Sequence, residues 1–170
     1  MLGFLFRGLT AAPAAGAALF ERLTAEARRP HWYVAGGVPD TLDGRFAVLA
    51  TVTALALVRL EGEGAEGNPA AVALTERFIE VMESEHRELG LGDPTLGKTV
   101  RKLVGMLARR TELWRQAVAG ESDWDDAVRQ SLYRDQPDTT AIAASRERLK
   151  RLHERLEATP LTDLQQGQIA

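Results

Sequence analysis

Every long stretch of this chain between its prolines repeats its apolar residues at the helical period, and none alternates as a strand does. Pro13, Pro69 and Pro94 each stand where a helix can open, because the first helical turn has N–H groups with no partner to lose. Asn68 and Asp93 precede two of them and offer short polar side chains as N-caps, as does Asp138 after Pro137. Pro30, Pro39 and Pro160 fall in loops or just past helix ends. The period predicts helices over about 14–28, 41–61, 69–89, 94–118 and 139–158, with a short one starting near Asp123. The second is apolar nearly all round from Phe46 to Leu60, as suits a central helix covered by its neighbours. The expected fold is all-α, an irregular single-domain bundle of about six helices. Residues 1–13 are expected to form a flexible or surface-touching N-terminus, 14–160 the domain and 161–170 a loose tail.

Composition narrows the chemistry. A chain of 170 residues buries roughly 70% of its unfolded surface, so it needs no disulfide or metal staple. With no cysteine, thiol catalysis, iron–sulfur clusters and Cys-type zinc sites are excluded. The 24 acidic and 21 basic side chains leave a net charge of −3, which argues against a general nucleic-acid binder and against DNA as a partner. The longest uncharged runs, Gly8–Phe20 and Phe46–Val58, fall short of the ~20 apolar residues needed to span a bilayer. The Ala-rich run after Arg7 resembles a secretory signal only faintly, since Pro13 interrupts it and it flows into the helical Glu21-Arg22-Leu23. A cytoplasmic location is expected. Met1–Phe6 followed by Arg7 offers a peripheral membrane contact as an alternative role for the N-terminus.

Three matches to chemical motifs fail on context. Gly92-Asp-Pro-Thr-Leu-Gly97-Lys98-Thr99 has the spacing of a phosphate loop, but a charged helical stretch precedes it where a buried strand is required. Gly62-Glu-Gly64-Ala-Glu-Gly67 has the spacing of a dinucleotide loop, yet it follows a helix and carries carboxylates that repel a pyrophosphate. It reads as a flexible interhelical linker. Glu83 and His86 supply one Glu-x-x-His pair, whereas a di-iron bundle needs a second copy, which neither His31 nor His153 provides. None of the four serines sits in a nucleophile elbow. Neither catalysis nor a cofactor is expected.

What remains resembles a recognition surface. His31-Trp-Tyr-Val-Ala-Gly-Gly-Val-Pro-Asp-Thr-Leu-Asp-Gly-Arg45 is an aromatic, glycine-rich loop entering a helix. In a structural role, Asp40 caps that helix with Asp43 in its first turn, while Trp32, Tyr33 and Val38 pack on the core. In a functional role, the loop contacts a partner. Lys98, Arg101, Lys102, Arg109 and Arg110 line the fourth helix between its apolar positions, as a solvated face or as a site for an acidic partner, lipid headgroup or ribosomal RNA.

These stretches also carry a family resemblance. Arg28-Arg-Pro-His-Trp-Tyr33 followed by Gly37-Val-Pro-Asp-Thr-Leu-Asp-Gly-Arg-Phe46 is similar to the signature of the ubiquinol–cytochrome c chaperones. Met82-Glu-Ser-Glu-His-Arg-Glu-Leu-Gly-Leu-Gly-Asp93 with Gly97-Lys98-Thr-Val-Arg-Lys-Leu103 forms a second block, and Ser131-Leu-Tyr-Arg134 a weaker third. The likeness spans roughly residues 19–134 and is nearer to the bacterial members than to the mitochondrial ones. Thr99 stands where the family usually has a further basic residue, and Ala108-Arg-Arg-Thr111 replaces an aromatic-glycine stretch. The resemblance implies a non-enzymatic assembly factor for ubiquinol–cytochrome c reductase (respiratory complex III). Its implied client is nascent or newly inserted cytochrome b, with a small helper protein and the ribosome as further contacts. A peripheral position on the cytoplasmic face of the inner membrane suits such a client. The surface expected to carry this role comprises Trp32, Tyr33, Val38, Pro39, Asp40, Asp43 and Arg45, with Gly92, Asp93, Lys98, Arg101 and Lys102. A membrane-surface adaptor without chaperone activity and a nucleotide-dependent factor using Gly92–Thr99 are the alternatives.

Overall fold

The computed structural model describes residues 16–88, 90 and 93–170. The expected N-terminal segment 1–13, the membrane contact assigned to it and the helix start at Pro13 lie outside these residues. Among the described residues the chain forms seven α-helices: α1 (Ala17–Ala27), α2 (Leu42–Gly62), α3 (Asn68–Glu88), α4 (Asp93–Val118), α5 (Trp124–Leu132), α6 (Thr139–Ala158) and α7 (Leu161–Gln165). Two 3-10 turns, Pro30–Trp32 and Gly64–Glu66, stand in the connections, and no strand occurs among the described residues.

Helix α2 is the axis of the bundle. Val48, Val52, Leu55, Leu57 and Leu60 are buried on several of its faces, and α1, α3, α4, α5 and α6 all pack on it. Ala50, Ala54 and Ala56 let those neighbours approach closely. Thr51 is buried without penalty because its hydroxyl donates to the Ala47 carbonyl at 2.7 Å. Two aromatic clusters lock the periphery. Phe78 of α3 meets the Phe20 ring edge-on at 6.3 Å and the Phe46 ring at 6.1 Å, joining three helices. Trp114 of α4 packs against Trp124 at 5.1 Å and donates its indole N–H to the Ser131 hydroxyl at 3.0 Å. A buried indole needs such a partner.

The helix boundaries follow from capping chemistry. The Asp138 carboxylate accepts from the Thr140 amide, and Asp123 accepts from the amides of Asp125 and Asp126. Asn68 and Asp93 stand as the first residues of α3 and α4, one position inside their expected places. Gly62–Gly67 is not a flexible linker but a tight 3-10 turn, closed by the Gly67 amide on the Gly64 carbonyl at 3.1 Å.

The C-terminal segment corrects an expectation. Residues 161–170 are packed, not loose. Leu164 of α7 is 1% exposed, and Ile169 also packs on the core. Gly167 takes φ +75°, and a Cβ there would stand 2.5 Å from the Ala18 carbonyl oxygen, so the chain reverses directly against α1. The Ala170 amide then donates to the Thr159 hydroxyl at 2.9 Å. Beneath this turn the buried Arg59 of α2 donates to the carbonyls of Leu156 and Thr159 at 3.0 and 3.2 Å, satisfying the end of α6 from another helix.

Candidate functional site

The loop between α1 and α2 is held like a piece of core. Arg29 is extended, as the residue before a proline must be, and Pro30 opens a 3-10 turn that drives Trp32 inward. The Trp32 indole donates to the Glu26 carbonyl at 2.9 Å, and the Tyr33 hydroxyl donates to the Ala27 carbonyl at 2.8 Å. The Tyr33 bond satisfies a carbonyl that α1 leaves open at its end, and the Trp32 bond adds to the one the Glu26 carbonyl accepts from the Arg29 amide at 3.2 Å. The Val38 amide returns to the Trp32 carbonyl at 3.1 Å. From the far side, the Tyr133 hydroxyl reaches the Gly36 carbonyl and the Ser145 hydroxyl.

Helix α2 begins where this loop ends. Thr41, not Asp40, is the cap: its hydroxyl accepts from the Gly44 amide at 3.2 Å. Asp40 is instead engaged by Arg45 at 2.7 Å, and that hydrogen bond holds its carboxyl below the usual carboxylate range. Gly44 is required by contact: a Cβ there would lie 1.8 Å from the Pro39 carbonyl oxygen. Asp43, one residue earlier, pairs with Arg134 from the segment after α5 at 3.1 Å.

Next to this junction lies an open groove of about 1350 Å³. Its floor is apolar, built from Phe46 and Leu49 of α2, Met82 of α3, and Leu103 and Met106 of α4. Tyr33 forms part of one wall, and burial pushes its phenol above its ordinary pKa despite the opposing charge of Arg45. Charged walls enclose the floor: Arg28, Arg45, Lys102 and Arg134 against Asp40, Asp43, Glu85 and Glu88. Four of each sign leave the walls near neutrality, which suits a polypeptide and not a polyanion. At the rim Val34 of the loop and Leu42 at the start of α2 are 80% and 74% exposed, apolar side chains held in solvent.

The expected surface residues therefore divide. Tyr33, Asp40, Asp43 and Arg45 from the loop and Lys102 from α4 face one groove across two distant parts of the chain. Trp32 and Val38 do not contribute: at 0% and 1% exposure they are core, with no atom left to offer a partner. Pro39 is exposed but lines a second, smaller cavity that adjoins the groove at the α2 start. Lys98 and Arg101 are exposed on α4 outside the groove walls. Gly92 lies outside the described residues, and of Asp93 only its place at the start of α4 is described. Sequence reasoning missed Leu42, Met82, Met106 and Arg134. Leu42, Met82 and Arg134 were within reach, since all three fall in the blocks that carry the family resemblance.

The motif matches resolve as local structure. Gly97, Lys98 and Thr99 lie inside the continuous helix α4, so no loop is available to wrap a phosphate. The nucleotide-dependent alternative is thereby removed. The His86 ring is bonded to the Met82 carbonyl through Nδ1 at 2.7 Å. Among the described residues no group of three or more His, Asp and Glu is placed to hold a metal ion, and no helix is long and apolar enough to cross a membrane.

Comparison with known proteins bears on the family and the fold. No curated protein matches the sequence. The crystal structure of the Cbp3 homolog from Brucella abortus is similar over 100% of this chain and 96% of its own, with a TM-score of 0.78 and 27% sequence identity. The family model described as "Ubiquinol-cytochrome C chaperone" matches residues 34–170. That match takes in Val34 at the groove rim, the whole of α2 to α6 and the packed C-terminal turn. By that match the chain belongs to the ubiquinol–cytochrome c chaperone family.

Proposed function

We propose that this protein is a non-enzymatic assembly factor for ubiquinol–cytochrome c reductase and that it holds cytochrome b, nascent or newly inserted, in the groove between the α1–α2 loop and α4. The observation that supports this most is the groove itself. An apolar floor with charge-balanced walls and two exposed aliphatic side chains at its rim matches what an unassembled membrane subunit presents: apolar helix surface beside short polar loops. Peripheral placement on the cytoplasmic face of the inner membrane brings such a client within reach. A small helper protein and the translating ribosome are further proposed contacts, with the exposed Lys98 and Arg101 positioned beside the groove to serve them.

The test is co-purification. Tagged protein is co-expressed with cytochrome b, membranes are solubilised gently, and the eluate is read by haem absorbance. Leu42→Asp removes the apolar rim contact, and Lys98→Glu with Lys102→Glu reverses the basic edge. Burying a leucine on binding contributes about 1.5–3 kcal/mol, so Leu42→Asp should lower capture tenfold or more with an unchanged melting temperature. Equal capture by the folded variants would reject the groove as the client site.

A further inference from the structure

Adjoining the groove at the first turn of α2 lies a second cavity of about 460 Å³. Gly44 and Phe46 wall it on one side, the segment Tyr133–Pro137 on another, and Met106 and Arg110 of α4 close it. Among the described arginines with a buried, unpartnered Nε, Arg77 and Arg146 pair with carboxylates and Arg110 does not. The Arg110 guanidinium lies 5.8 Å from the centre of the Phe46 ring, and one Nη donates to the Ser131 carbonyl at 3.1 Å. Its Nε is buried with no hydrogen-bond partner, and no carboxylate among the described residues pairs with it. A guanidinium carries five N–H donors, and a buried one normally faces an acid. Burial and the nearby Arg109 charge lower its pKa, which marks an ion kept at a cost. The other charges of the cavity do not relieve it: Asp43 is taken by Arg134, and Asp135 is exposed.

We propose that this cavity is a subsite for a single carboxylate, the side chain of a Glu or Asp flanked by apolar residues in a bound polypeptide. The carboxylate accepts from an Nη–H of Arg110 that is not given to Ser131, and the neighbouring apolar side chains rest on Phe46 and Met106. One unpaired cation with Asp43 and Asp135 in the walls favours a monoanion and disfavours a phosphate dianion. The volume falls in the range of small-ligand clefts, about 300–1,000 Å³. A polypeptide is favoured over a free acid because the cavity shares Asp43, Phe46, Met106 and Arg134 with the groove, so a chain in the groove reaches it without a break. The assignment rests on a polypeptide occupying the groove but not on that polypeptide being cytochrome b.

The test uses the whole isolated protein, titrated with acetyl-Leu-Glu-Leu-amide and with its Gln counterpart, and followed by the Arg110 Nε–Hε and Gly44 amide signals in ¹⁵N spectra. The Glu peptide should shift both signals saturably and bind at least tenfold more tightly than the Gln peptide. In Arg110→Met that preference should vanish. Equal binding of the two peptides by the wild-type protein overturns the proposal without any variant, and a preference that survives Arg110→Met overturns it as well. Propionate binding as tightly as the Glu peptide would make this a small-acid site, and phosphate binding more tightly would make it a general anion site. Either outcome refutes the polypeptide assignment. If this pattern holds while cytochrome b is not captured, the subsite stands and the identity of the client falls.

Discussion

Replacing Gly44 by alanine tests the junction on which the groove and the cavity both depend. The added Cβ would stand 1.8 Å from the Pro39 carbonyl oxygen, where real Cβ contacts are not seen below 3.0 Å. Something must move by more than an ångström. The obstacle is backbone, flanked by the buried Val38 and the Thr41 cap, so it cannot swing aside as a side-chain tip would. Overpacking of this kind costs about 1–3 kcal/mol, and an immovable carbonyl puts this case at the upper end. The helical preference of alanine over glycine returns at most about 1 kcal/mol. A net loss of about 2 kcal/mol lowers the melting temperature of a domain this size by roughly 4–8 °C. Gly97→Ala is the internal control. Gly97 lies inside α4 with nothing within 4 Å of its Cβ position, so alanine should raise the melting temperature by about 2–4 °C. Scanning calorimetry on the two variants reads both signs. A Gly44→Ala protein that melts with the wild type would refute the close approach and the rigid loop with it.

Other expectations follow from the packing and the charges. Leu164→Ala should cost about 2–3 kcal/mol in urea unfolding, because Leu164 is 1% exposed and its loss leaves a cavity under α7; a loose tail would give no change. His31 has its pKa pushed below the ordinary value of ~6.5 by burial first and by the Arg148 charge second. Folding therefore favours its neutral form. Stability should hold above about pH 6.5 and fall as the pH drops towards the folded pKa, because the unfolded chain there binds the extra proton. His31→Asn should flatten that part of a stability–pH curve, and an unchanged slope would clear His31 of the effect.

Helix boundaries were readable because their causes are local. Prolines, Asp123 and Asp138 act on their own or the next turn, and the apolar period needs only neighbours. The failures have non-local causes. Nothing near Leu161 announces that Arg59, about a hundred residues earlier, holds the Leu156 and Thr159 carbonyls and so builds the platform for the C-terminal turn. Asp40 was the better cap by composition, but Arg45 claims its carboxylate and leaves the role to Thr41. In the loop at 31–45 no period distinguishes inward from outward residues, so Trp32 and Val38 could not be separated from Tyr33. Arg110 was grouped with Lys98 and Arg109 because spacing alone cannot reveal that the segment after α5 folds over one face of α4.

Phe46 gives the groove and the smaller cavity a common partition. One ring rests against Phe78, lies under the Arg110 guanidinium and lines both spaces. A ligand on either side that changes the tilt of this ring reshapes the opposite compartment. Thermodynamic linkage makes the effect mutual: whatever factor one occupant applies to the affinity of the other, it receives in return. Typical coupling of about 1–3 kcal/mol is enough to turn two weak contacts into one conditional grip. Such a grip closes when both features of a segment are present and releases when either is withdrawn into a folded assembly.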